Sequence, residues 1–520
     1  MSEPTLGPAR LAVLIARLTG VAHEMGEVLR RAAFSPNIKE RADCSAALFT
    51  ADGTLLVQAE HIPVHLGSMP ASVAAAIGAF GNGIEPGQQV ILNDPFAGGT
   101  HLNDVTLVMP VFDGSTIVGW VANRAHHADL GGTAPGSMPA DAVHIDEEGL
   151  RLSPQILTGE VAAAMAAASR TPEERAGDLD AQVGANRLGA ERFGALGTAG
   201  VGEIVAYGER RMRAALADLP DGTWSFTDVL DSFGPAAHQQ EPTAIVLTLT
   251  VAGDRITFDF TGTDPQREGN VNAVEAVTVS AVAWALRSVL DPTIPANGGA
   301  LRSVEVVAPA GTVVAARYPA AVGAGNVEVS QRVADVCLGA LAQVVPDRVP
   351  AASQGTMNNL LLGGDGWVSY ETIAGGQGGR PPRPGSSGPP VPGMSGIHTA
   401  MTNSRNTPVE VLERTYPMRV LRYRIREGSG GDGWARGGDG IERDLQVLED
   451  VTVSLITERR VSRPWGQNGG EPGAAGENWL LPDGDERRAE RLPDKCTLQL
   501  EAGDVLRMLT PGGGGWGTRP

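Results

Sequence analysis

Two strand-like runs flank a short turn near residue 114. They read Asp104-Val105-Thr106-Leu107-Val108-Met109-Pro110-Val111-Phe112 and Thr116-Ile117-Val118-Gly119-Trp120-Val121-Ala122-Asn123. The residues Asp113-Gly114 between them are a strong hairpin signal, because both residue types tolerate the positive φ of tight turns. The sequence therefore predicts an antiparallel hairpin.

Histidines gather around this hairpin, since six of the nine in the chain fall between residues 61 and 144. If Asp113-Gly114 is a two-residue loop, paired positions sum to about 227, and His101 faces His126. With a three-residue loop the sum is about 228, and His101 faces His127 instead. Directly opposed side chains have Cβ atoms about 5 Å apart, so either pairing brings two imidazoles together.

Asp104 would add a carboxylate to the two imidazoles, which is a donor set that suits zinc, iron or manganese. In a straight strand His101 and Asp104 would point to opposite faces, about 10 Å apart. Residues 100–104 must therefore turn if both side chains bind one ion, and Gly98-Gly99 favours such a turn. The alternative is that the histidines are hydrogen-bonded core residues behind a glycine turn. His65, near a predicted helix start, is assigned a capping or packing role, as is His61.

Composition limits the class of protein. A chain of 520 residues is too long for one ordinary core, so we expect two to four domains. The net charge of −19 disfavours nucleic-acid binding. The sequence has no P-loop motif and only two lysines, so any ATP would be bound by another polypeptide. No signal-peptide pattern, no apolar run of about 20 residues and no CxxC pair occurs, which predicts a cytoplasmic protein without membrane contact.

The periodicities predict an α+β protein with several domains: mixed sheets, N-terminal and central helices, and a C-terminal antiparallel β domain. The predicted regions are an N-terminal metal-site region at 1–150, a helical segment at 151–220, a central α+β domain at 221–408 and a C-terminal β-rich domain at 409–520. We interpret the mostly polar helical segment as a spacer or an interaction arm. Residues 374–396 have low complexity and predict an extended loop near a site or interface.

Several segments resemble the hydantoinase B/oxoprolinase family over about residues 10–516. The matching segments, in chain order, are Ser35–Asp43, His61–Pro70, Asn93–Asp104, Ala125–Gly132, Pro135–Pro139, Gly325–Glu328 with Gln331-Arg332, Ser353–Asn359 and Thr402–Glu413. The resemblance implies a B subunit that works in a hetero-oligomer, such as A2B2, with a hydantoinase A-type subunit of acetate/sugar-kinase-like fold. That A subunit would use ATP and Mg to make a phosphorylated intermediate.

The resemblance also implies the site residues. Metal ligands fall on His101, Asp104 and His126, which favours the two-residue hairpin loop, and zinc is the first expectation, with manganese or iron as alternatives. Asp43 is implied as a fourth ligand or as the base that activates water, although by pattern it is a solvated or capping acid at a strand start. His127 follows His126 and faces the other way in a strand; it could bond a substrate, and we include it with Asp43 as a catalytic residue.

Together these features predict the B subunit of an ATP-dependent cyclic amide hydrolase. It would open a lactam, hydantoin or oxoproline ring at a metal after activation by the A subunit. Two alternatives stay open: a subunit of an ATP-dependent ketone carboxylase, and a non-catalytic, metal-stabilised scaffold for the A subunit. The segment Gly379–Pro392 is richer in proline than the glycine-rich loop usual in the family, which leaves the ring unassigned.

Overall fold

The computed structural model describes residues 6–59, 62–65, 67–81, 83–382, 385 and 387–519. The α-helices of these residues are α1 (Pro8–Ala32), α2 (Pro36–Lys39), α3 (Met69–Phe80), α4 (Gly159–Ala168), α5 (Pro172–Leu196), α6 (Val201–Ala217), α7 (Glu275–Val289), α8 (Ser330–Val344) and α9 (Val409–Thr415). The strands that precede residue 400 are β1 (Cys44–Thr50), β2 (Leu55–Ala59), β3 (Val90–Leu92), β4 (Asp104–Asp113), β5 (Thr116–His126), β6 (Gln155–Ile156), β7 (Gly222–Leu230), β8 (Thr243–Ala252), β9 (Arg255–Asp259), β10 (Val304–Val307), β11 (Asn359–Gly364) and β12 (Trp367–Thr372). The later strands are β13 (Met418–Arg426), β14 (Gly440–Val447), β15 (Val451–Ile456), β16 (Glu477–Leu481), β17 (Glu490–Leu492), β18 (Lys495–Leu500) and β19 (Val505–Leu509). The predicted α+β class, with N-terminal and central helices, is confirmed.

The predicted hairpin is β4 and β5, at the centre of a sheet with the strand order β2-β1-β5-β4-β3-β6. Its loop is Gly114-Ser115, because Asp113 pairs with Thr116. Gly114 has a φ of +60°, which suits the first position of a two-residue hairpin loop. The turn therefore lies one residue later than the sequence pattern indicated.

A β-bulge between Val111 and Phe112 shifts the register of the hairpin by one more residue. As a result Asp104 lies opposite His126. The predicted register, with His101 opposite His126, is wrong, because the sequence pattern shows neither the later loop nor the bulge. His101 lies before β4, and its side chain comes close to His126 through a turn instead of through strand pairing.

The helical segment is part of the core, so its interpretation as a spacer or arm is wrong. Helix α5 packs along β4 and β5 and buries polar side chains there. Gln182 donates to the Val105 carbonyl at 2.9 Å and to Asn123 Oδ1 at 2.8 Å, and Asn186 donates to the Leu107 carbonyl at 3.1 Å. Polar residues on this helix therefore satisfy strand groups instead of facing water.

The middle of the chain forms a second sheet in the order β10-β9-β8-β7, in which β10 and β9 are parallel. Helices α7 and α8 pack against each other, and α8 lies on β7 and β8. A π-helical turn at Gly325–Val329 leads directly into α8. This turn matters because it is buried next to the predicted site.

Two further sheets contain the C-terminal part. One has the order β12-β11-β15-β18, and the other is an antiparallel sheet in the order β13-β14-β19-β16-β17, which confirms the predicted antiparallel C-terminal β domain. Because β11 precedes residue 409 and pairs with β15, the predicted 408/409 limit falls between strands of one sheet. The four domain limits themselves stay a prediction.

Three glycine-rich segments pack backbone against backbone, and we call them the glycine bundle: residues 375–379, 430–438 and 511–516. They run side by side, with Gly376 donating to the Pro511 carbonyl at 3.0 Å, Gly438 to the Gln377 carbonyl at 2.8 Å and Gly513 to the Gly438 carbonyl at 2.9 Å. A Cβ at Gly376, Gly437 or Gly513 would lie within 3 Å of a neighbouring backbone. Residues 375–379, at the start of the predicted extended loop at 374–396, are thus one layer of an ordered assembly.

One segment, Pro63–Phe80, meets the length and hydropathy criterion for a membrane-spanning helix, with a mean hydropathy of 1.2 over 18 residues. Within the fold 47% of it is buried. Helix α3 inside this segment packs on β4 and β5. Buried core helices meet the same criterion, so the segment is weak evidence for a membrane.

Candidate metal centre

The turn that the sequence required between His101 and Asp104 is present. Asp104 donates its backbone N–H to the His101 carbonyl at 3.1 Å, which closes the turn just before β4. Asn103 anchors it, since its side-chain amide donates to the carbonyls of His127 at 2.9 Å and Gly136 at 3.0 Å. Gly98, with a φ of +98°, provides the reversal before the turn.

The Asp104 carboxylate lies at the centre of the cluster. One oxygen, Oδ1, is 3.1 Å from His101 Nε2 and 3.3 Å from His126 Nδ1. The other, Oδ2, is 3.3 Å from His65 Nε2 and accepts from Thr100 Oγ1 at 2.8 Å. Burial alone would raise the pKa of Asp104, but the charges of His101 and His65 outweigh burial and hold that pKa well below its usual range. The carboxylate is therefore ionised across the neutral pH range.

The cluster has the composition of a metal site. Ligand atoms of His101, Asp104 and His126 all lie within 4.8 Å of one another, and all three residues are buried. Nδ1 of His101 and Nε2 of His126 are buried without a hydrogen-bond partner among the described residues, and His101 Nε2 faces only the Asp104 carboxylate. Buried polar atoms normally have partners, so a divalent ion fits this donor set, and imidazole with carboxylate suits zinc, manganese or iron.

His126 is held by residues far away in sequence. Its ring stacks on Tyr370 with the centroids 4.7 Å apart and 21° between the planes. The Arg41 guanidinium carbon lies 4.6 Å from the centroid of the same Tyr370 ring, and Arg41 Nη1 donates to the Tyr370 carbonyl at 2.7 Å. Burial lowers the pKa of His126, and its hydrogen bond to Asp104 opposes this. The neutral form of His126, which can ligate a metal, is thus favoured.

The π-helical turn at Gly325–Val329 lies against the metal cluster on the side of Asp104 Oδ2. Asn326 Nδ2 donates to Asp104 Oδ2 at 3.4 Å. Glu328, fully buried, accepts from Asn359 Nδ2 at 2.7 Å, and Asn359 Oδ1 accepts from the Tyr370 hydroxyl at 2.9 Å. One chain of hydrogen bonds therefore runs from Glu328 to the ring that stacks on His126. Single-turn π-bulges are frequent at functional sites.

Sequence reasoning missed His65 as a neighbour of the cluster. Its ring is buried, with Nδ1 2.8 Å from Ser45 Oγ and Nε2 facing Asp104. The spacing of His65 near a helix start gave no sign of this contact, because it depends on how α3 packs on β4 and on the place of β1 beside β5 in the same sheet. His61, with the same predicted role, lies outside the described residues.

Asp43 lies beside the cluster but outside it. Its backbone carbonyl accepts from the His126 N–H at 3.0 Å, and its carboxylate Oδ2 is 3.9 Å from Arg41 Nη2. Asp43 is 8% exposed, so the carboxylate is almost enclosed. It does not belong to the group of ligand atoms within 4.8 Å. Its role as a fourth ligand or as a base stays a prediction.

The His127 side chain lies away from the cluster, as expected for the neighbour of His126 in a strand. Its Nε2 is 2.9 Å from Gln182 Oε1 on α5. Burial, followed by the charge of Arg175, lowers the pKa of His127 to about 4. The catalytic role of His127 stays a prediction, and this geometry favours a packing role.

Comparison with known proteins decides the family. The sequence model of the hydantoinase B/oxoprolinase family matches residues 7–519. The chain belongs to this family. The predicted resemblance is confirmed.

Relatives within the family differ in how much of their length the chain spans. It is 41% identical to an uncharacterized protein of Methanocaldococcus jannaschii, over 96% of this chain and 88% of that protein. It is 38% identical to 5-oxoprolinase 1 of Arabidopsis thaliana, over all of this chain but only 42% of that protein. It is 32% identical to a protein of a Pseudomonas strain that is named as the B component of a D-/L-hydantoinase, over 98% of this chain and 90% of that protein.

Solved structures share the fold. The ATP-dependent caprolactamase from Pseudomonas jessenii superposes with a TM-score of 0.89 and 27% identity, over 99% of this chain and 93% of that chain. An acetone carboxylase superposes with a TM-score of 0.87 and 19% identity, over 98% of this chain and 76% of that chain. The second likeness shows a common fold alone.

Proposed function

We propose that this member of the hydantoinase B/oxoprolinase family is the B subunit of an ATP-dependent cyclic amide hydrolase. The buried cluster of His101, Asp104 and His126 carries the proposal, since His101 Nδ1 and His126 Nε2 lack partners within the described part of the fold. Relatives named for 5-oxoproline, hydantoin and caprolactam are all named for cyclic amides. A ring-opening site for a cyclic amide fits both observations.

The residues of the chain would hold and prepare the reacting groups. His101, Asp104 and His126 would hold a divalent ion, zinc in the first place, which supplies Lewis-acid chemistry that polarises a carbonyl or activates water. Tyr370 fixes the His126 ring by stacking, and His65 fixes the orientation of the Asp104 carboxylate. Such outer contacts keep ligand geometry fixed.

We assign proton transfer to Asp43. Its backbone is tied to His126, so its position follows that of the cluster, and its nearly enclosed carboxylate lies outside the ligand group. A carboxylate close to a reacting water can accept its proton and return it to the leaving nitrogen. Arg41 beside it keeps the carboxylate in place.

A partner completes the proposed enzyme. The Pseudomonas relative is named as one component of a hydantoinase, and the caprolactamase is ATP-dependent. We propose an A-type subunit that binds ATP and Mg, activates the amide by phosphorylation and assembles with this chain as a hetero-oligomer, A2B2 being the expected stoichiometry. Because the chain spans 42% of the Arabidopsis protein, the remaining length of such relatives is where we expect the counterpart of the A subunit.

The test is to purify the chain alone and together with its A-type partner, and to measure ATP-dependent opening of 5-oxoproline, hydantoin and caprolactam. We expect ring opening only with both chains and ATP. Full activity of the lone chain would contradict the two-subunit enzyme. Consumption of bicarbonate with a ketone would instead identify a carboxylase, and unchanged turnover of His101→Ala in an intact assembly would identify a scaffold.

A further inference from the structure

The side chain of Asn326 lies beside the metal cluster, and only one end of its amide has a partner. The residue belongs to the π-helical turn at Gly325–Val329 and is 3% exposed. Its Nδ2 donates to Asp104 Oδ2 at 3.4 Å, whereas its Oδ1 is buried without a hydrogen-bond donor among the described residues. Buried amide oxygens normally accept at least one hydrogen bond. An open acceptor therefore lies next to the cluster, and none of the roles assigned above uses it.

Asp104 decides which way this amide points. Its Oδ2 already accepts from Thr100 Oγ1 at 2.8 Å, and a carboxylate oxygen attracts further donors but repels another oxygen. The nitrogen of the Asn326 amide, which carries two hydrogens, therefore faces Asp104. Because nitrogen and oxygen leave the amide carbon in diverging directions, Oδ1 points away from the carboxylate. The orientation of the free acceptor thus follows from the contact with the cluster.

The backbone of the π-helical turn gives Asn326 little freedom. Its N–H donates to the Val322 carbonyl at 3.3 Å, and its carbonyl accepts from Ser330 Oγ at 2.6 Å. A Cβ at Gly325, directly before it, would lie 1.8 Å from the Asn272 carbonyl oxygen, so the turn is in close contact with a neighbouring segment. A side chain on such a backbone keeps its position when a ligand binds, which a selective site requires.

The geometry of cyclic amides indicates which group this acceptor takes. A small ring holds its amide bond cis, so the N–H and the C=O point to the same side of the ring. Such a ring can present its carbonyl to the metal cluster and its N–H to Asn326 Oδ1 at the same time. An amide whose nitrogen carries a methyl group has no hydrogen to donate, and it would place that methyl group against the buried oxygen.

We propose that Asn326 is a specificity-determining residue, whose Oδ1 accepts a hydrogen bond from the ring N–H while its Nδ2 holds Asp104. The inference deepens the proposed function and rests on it for the class of ligand. It adds that the chain discriminates against ring amides that are substituted on nitrogen. A site built to bond an N–H rejects an analogue without it, because the buried acceptor is then left unpaired.

Binding of two lactams to the full chain supplied with zinc tests the inference without ATP, turnover or a partner. The probes 2-pyrrolidinone and N-methyl-2-pyrrolidinone share the ring and the carbonyl, and only the first carries an N–H. We expect calorimetry to show about tenfold tighter binding of 2-pyrrolidinone, since an unpaired buried acceptor costs that much affinity. Asn326→Leu, which has nearly the same size, should bind the two lactams with similar affinities.

Gln331→Leu is the matched control. Gln331 is also buried, with Oε1 unpaired in the described part of the chain, but its Nε2 donates to the Thr399 carbonyl at 3.2 Å instead of to Asp104. This variant should keep the wild-type ratio of the two affinities. Zinc content and a urea unfolding curve are measured for both variants. A purely structural role of Asn326, acting through Asp104, would weaken both lactams alike and leave their ratio unchanged.

The ratio of the two affinities therefore decides the outcome, and Asn326→Ala gives the same test if Asn326→Leu does not fold. Equal binding of the two lactams to the wild type, as expected if a buried water occupies Oδ1, would overturn the inference. So would a wild-type ratio in Asn326→Leu, an equally reduced ratio in Gln331→Leu, or the absence of lactam binding to the wild type. Absence of ring opening with the partner would instead contradict the proposed function and leave the binding ratio in force.

Discussion

The metal cluster and the glycine bundle are built by opposite means. In the cluster, side chains from several elements contact the Asp104 carboxylate, and the backbone serves only to position them. In the bundle, the segments 375–379, 430–438 and 511–516 bond through main-chain groups, and the absence of side chains lets them approach. The cluster therefore depends on residue chemistry, whereas the bundle depends on residue size.

This difference predicts how each region tolerates change. Substituting a cluster residue removes a donor atom but leaves the surrounding packing, so function should fail before folding. Substituting a bundle glycine adds atoms where no space exists, so folding should fail first. The following variants separate the two outcomes.

The largest effect is expected for Gly513→Ala in the bundle. The new Cβ would lie within 3 Å of the Gln377 carbonyl and of Gly378 N, so one backbone layer must move. We expect a loss of about 3 kcal/mol or more of unfolding free energy, at the upper end of overpacking penalties, measured by urea denaturation. Gly184→Ala in α5, where nothing lies within 4 Å of the new Cβ, is the control and should gain about 0.5–1 kcal/mol. Equal stability of the two variants would refute the steric account of the bundle.

His101→Ala should abolish metal binding and ring opening while the protein stays folded. It removes one of three ligand atoms of the cluster, while the buried Asp104 carboxylate keeps its contacts with His65 and Thr100. Metal content of the purified protein, together with a urea unfolding curve, checks both halves. If metal content stayed normal, the cluster would not be the metal site.

His65→Ala should have a smaller effect on the same site. His65 contacts Asp104 from the side opposite to His101 and His126, through the other carboxylate oxygen. Residues that orient ligands typically contribute about 10- to 100-fold to metal affinity, which a chelator competition titration can measure. His238→Ala, at an exposed histidine, should leave the affinity at the wild-type value. An equally unchanged affinity in His65→Ala would show that Asp104 needs no support there.

Glu148 shares a feature with each region. Like the cluster it relies on a buried carboxyl group, and like the bundle it bonds to backbone N–H groups. It accepts from the Val322 N–H at 3.0 Å and the Gly323 N–H at 2.7 Å. Burial outweighs these bonds and raises the pKa of Glu148 to about 8. A carboxyl whose pKa is raised on folding stabilises the fold below its unfolded pKa of about 4.3, and that stability is lost as the pH rises towards 8.

The expected result is a flatter pH dependence of stability in Glu148→Gln. Between pH 5.5 and 7.5 the wild type should lose about 2 kcal/mol more unfolding free energy than this variant, given about 1.4 kcal/mol per pH unit at most. Urea denaturation at both pH values measures the difference. Glu241→Gln, at an exposed carboxylate, should keep the wild-type slope. The prediction fails if the two variants have the same slope.

The sequence was informative where local patterns decide structure. The hairpin, helix α1 and the turn before β4 follow from period-two and helical patterning and from Gly98-Gly99. The exact partners did not follow, because the bulge at Val111 and the loop at Gly114-Ser115 shift the register by amounts that no pattern records. The structure brings together His101, Asp104 and His126, although the arithmetic that first joined the two histidines was wrong. Their role as metal ligands stays a prediction, and so does that of Asp43.

Tertiary contacts account for what the sequence could not predict. His65 and Tyr370 reach the cluster only because their elements pack around it, and neither has a local motif for that role. The buried amides of Gln182 and Asn186 look like surface residues in sequence, since their partners are strand groups more than 50 positions away. The sequence did not predict the glycine bundle for a similar reason. Its segments bond to one another across long stretches of sequence, and each segment alone resembles a flexible loop.

The order of the bundle in the chain has a consequence for synthesis of the protein. Its segment 511–516 accepts hydrogen bonds from both other segments and donates to residues 430–438, yet a ribosome adds it after the other two. Until then, some peptide groups of residues 375–379 and 430–438 have no partners. More than seventy further residues must be added to the nascent chain before residues 511–516 can provide them. We therefore expect the N-terminal metal-site sheet to form during translation, and the half that contains the bundle to close only after residue 516 has left the exit tunnel.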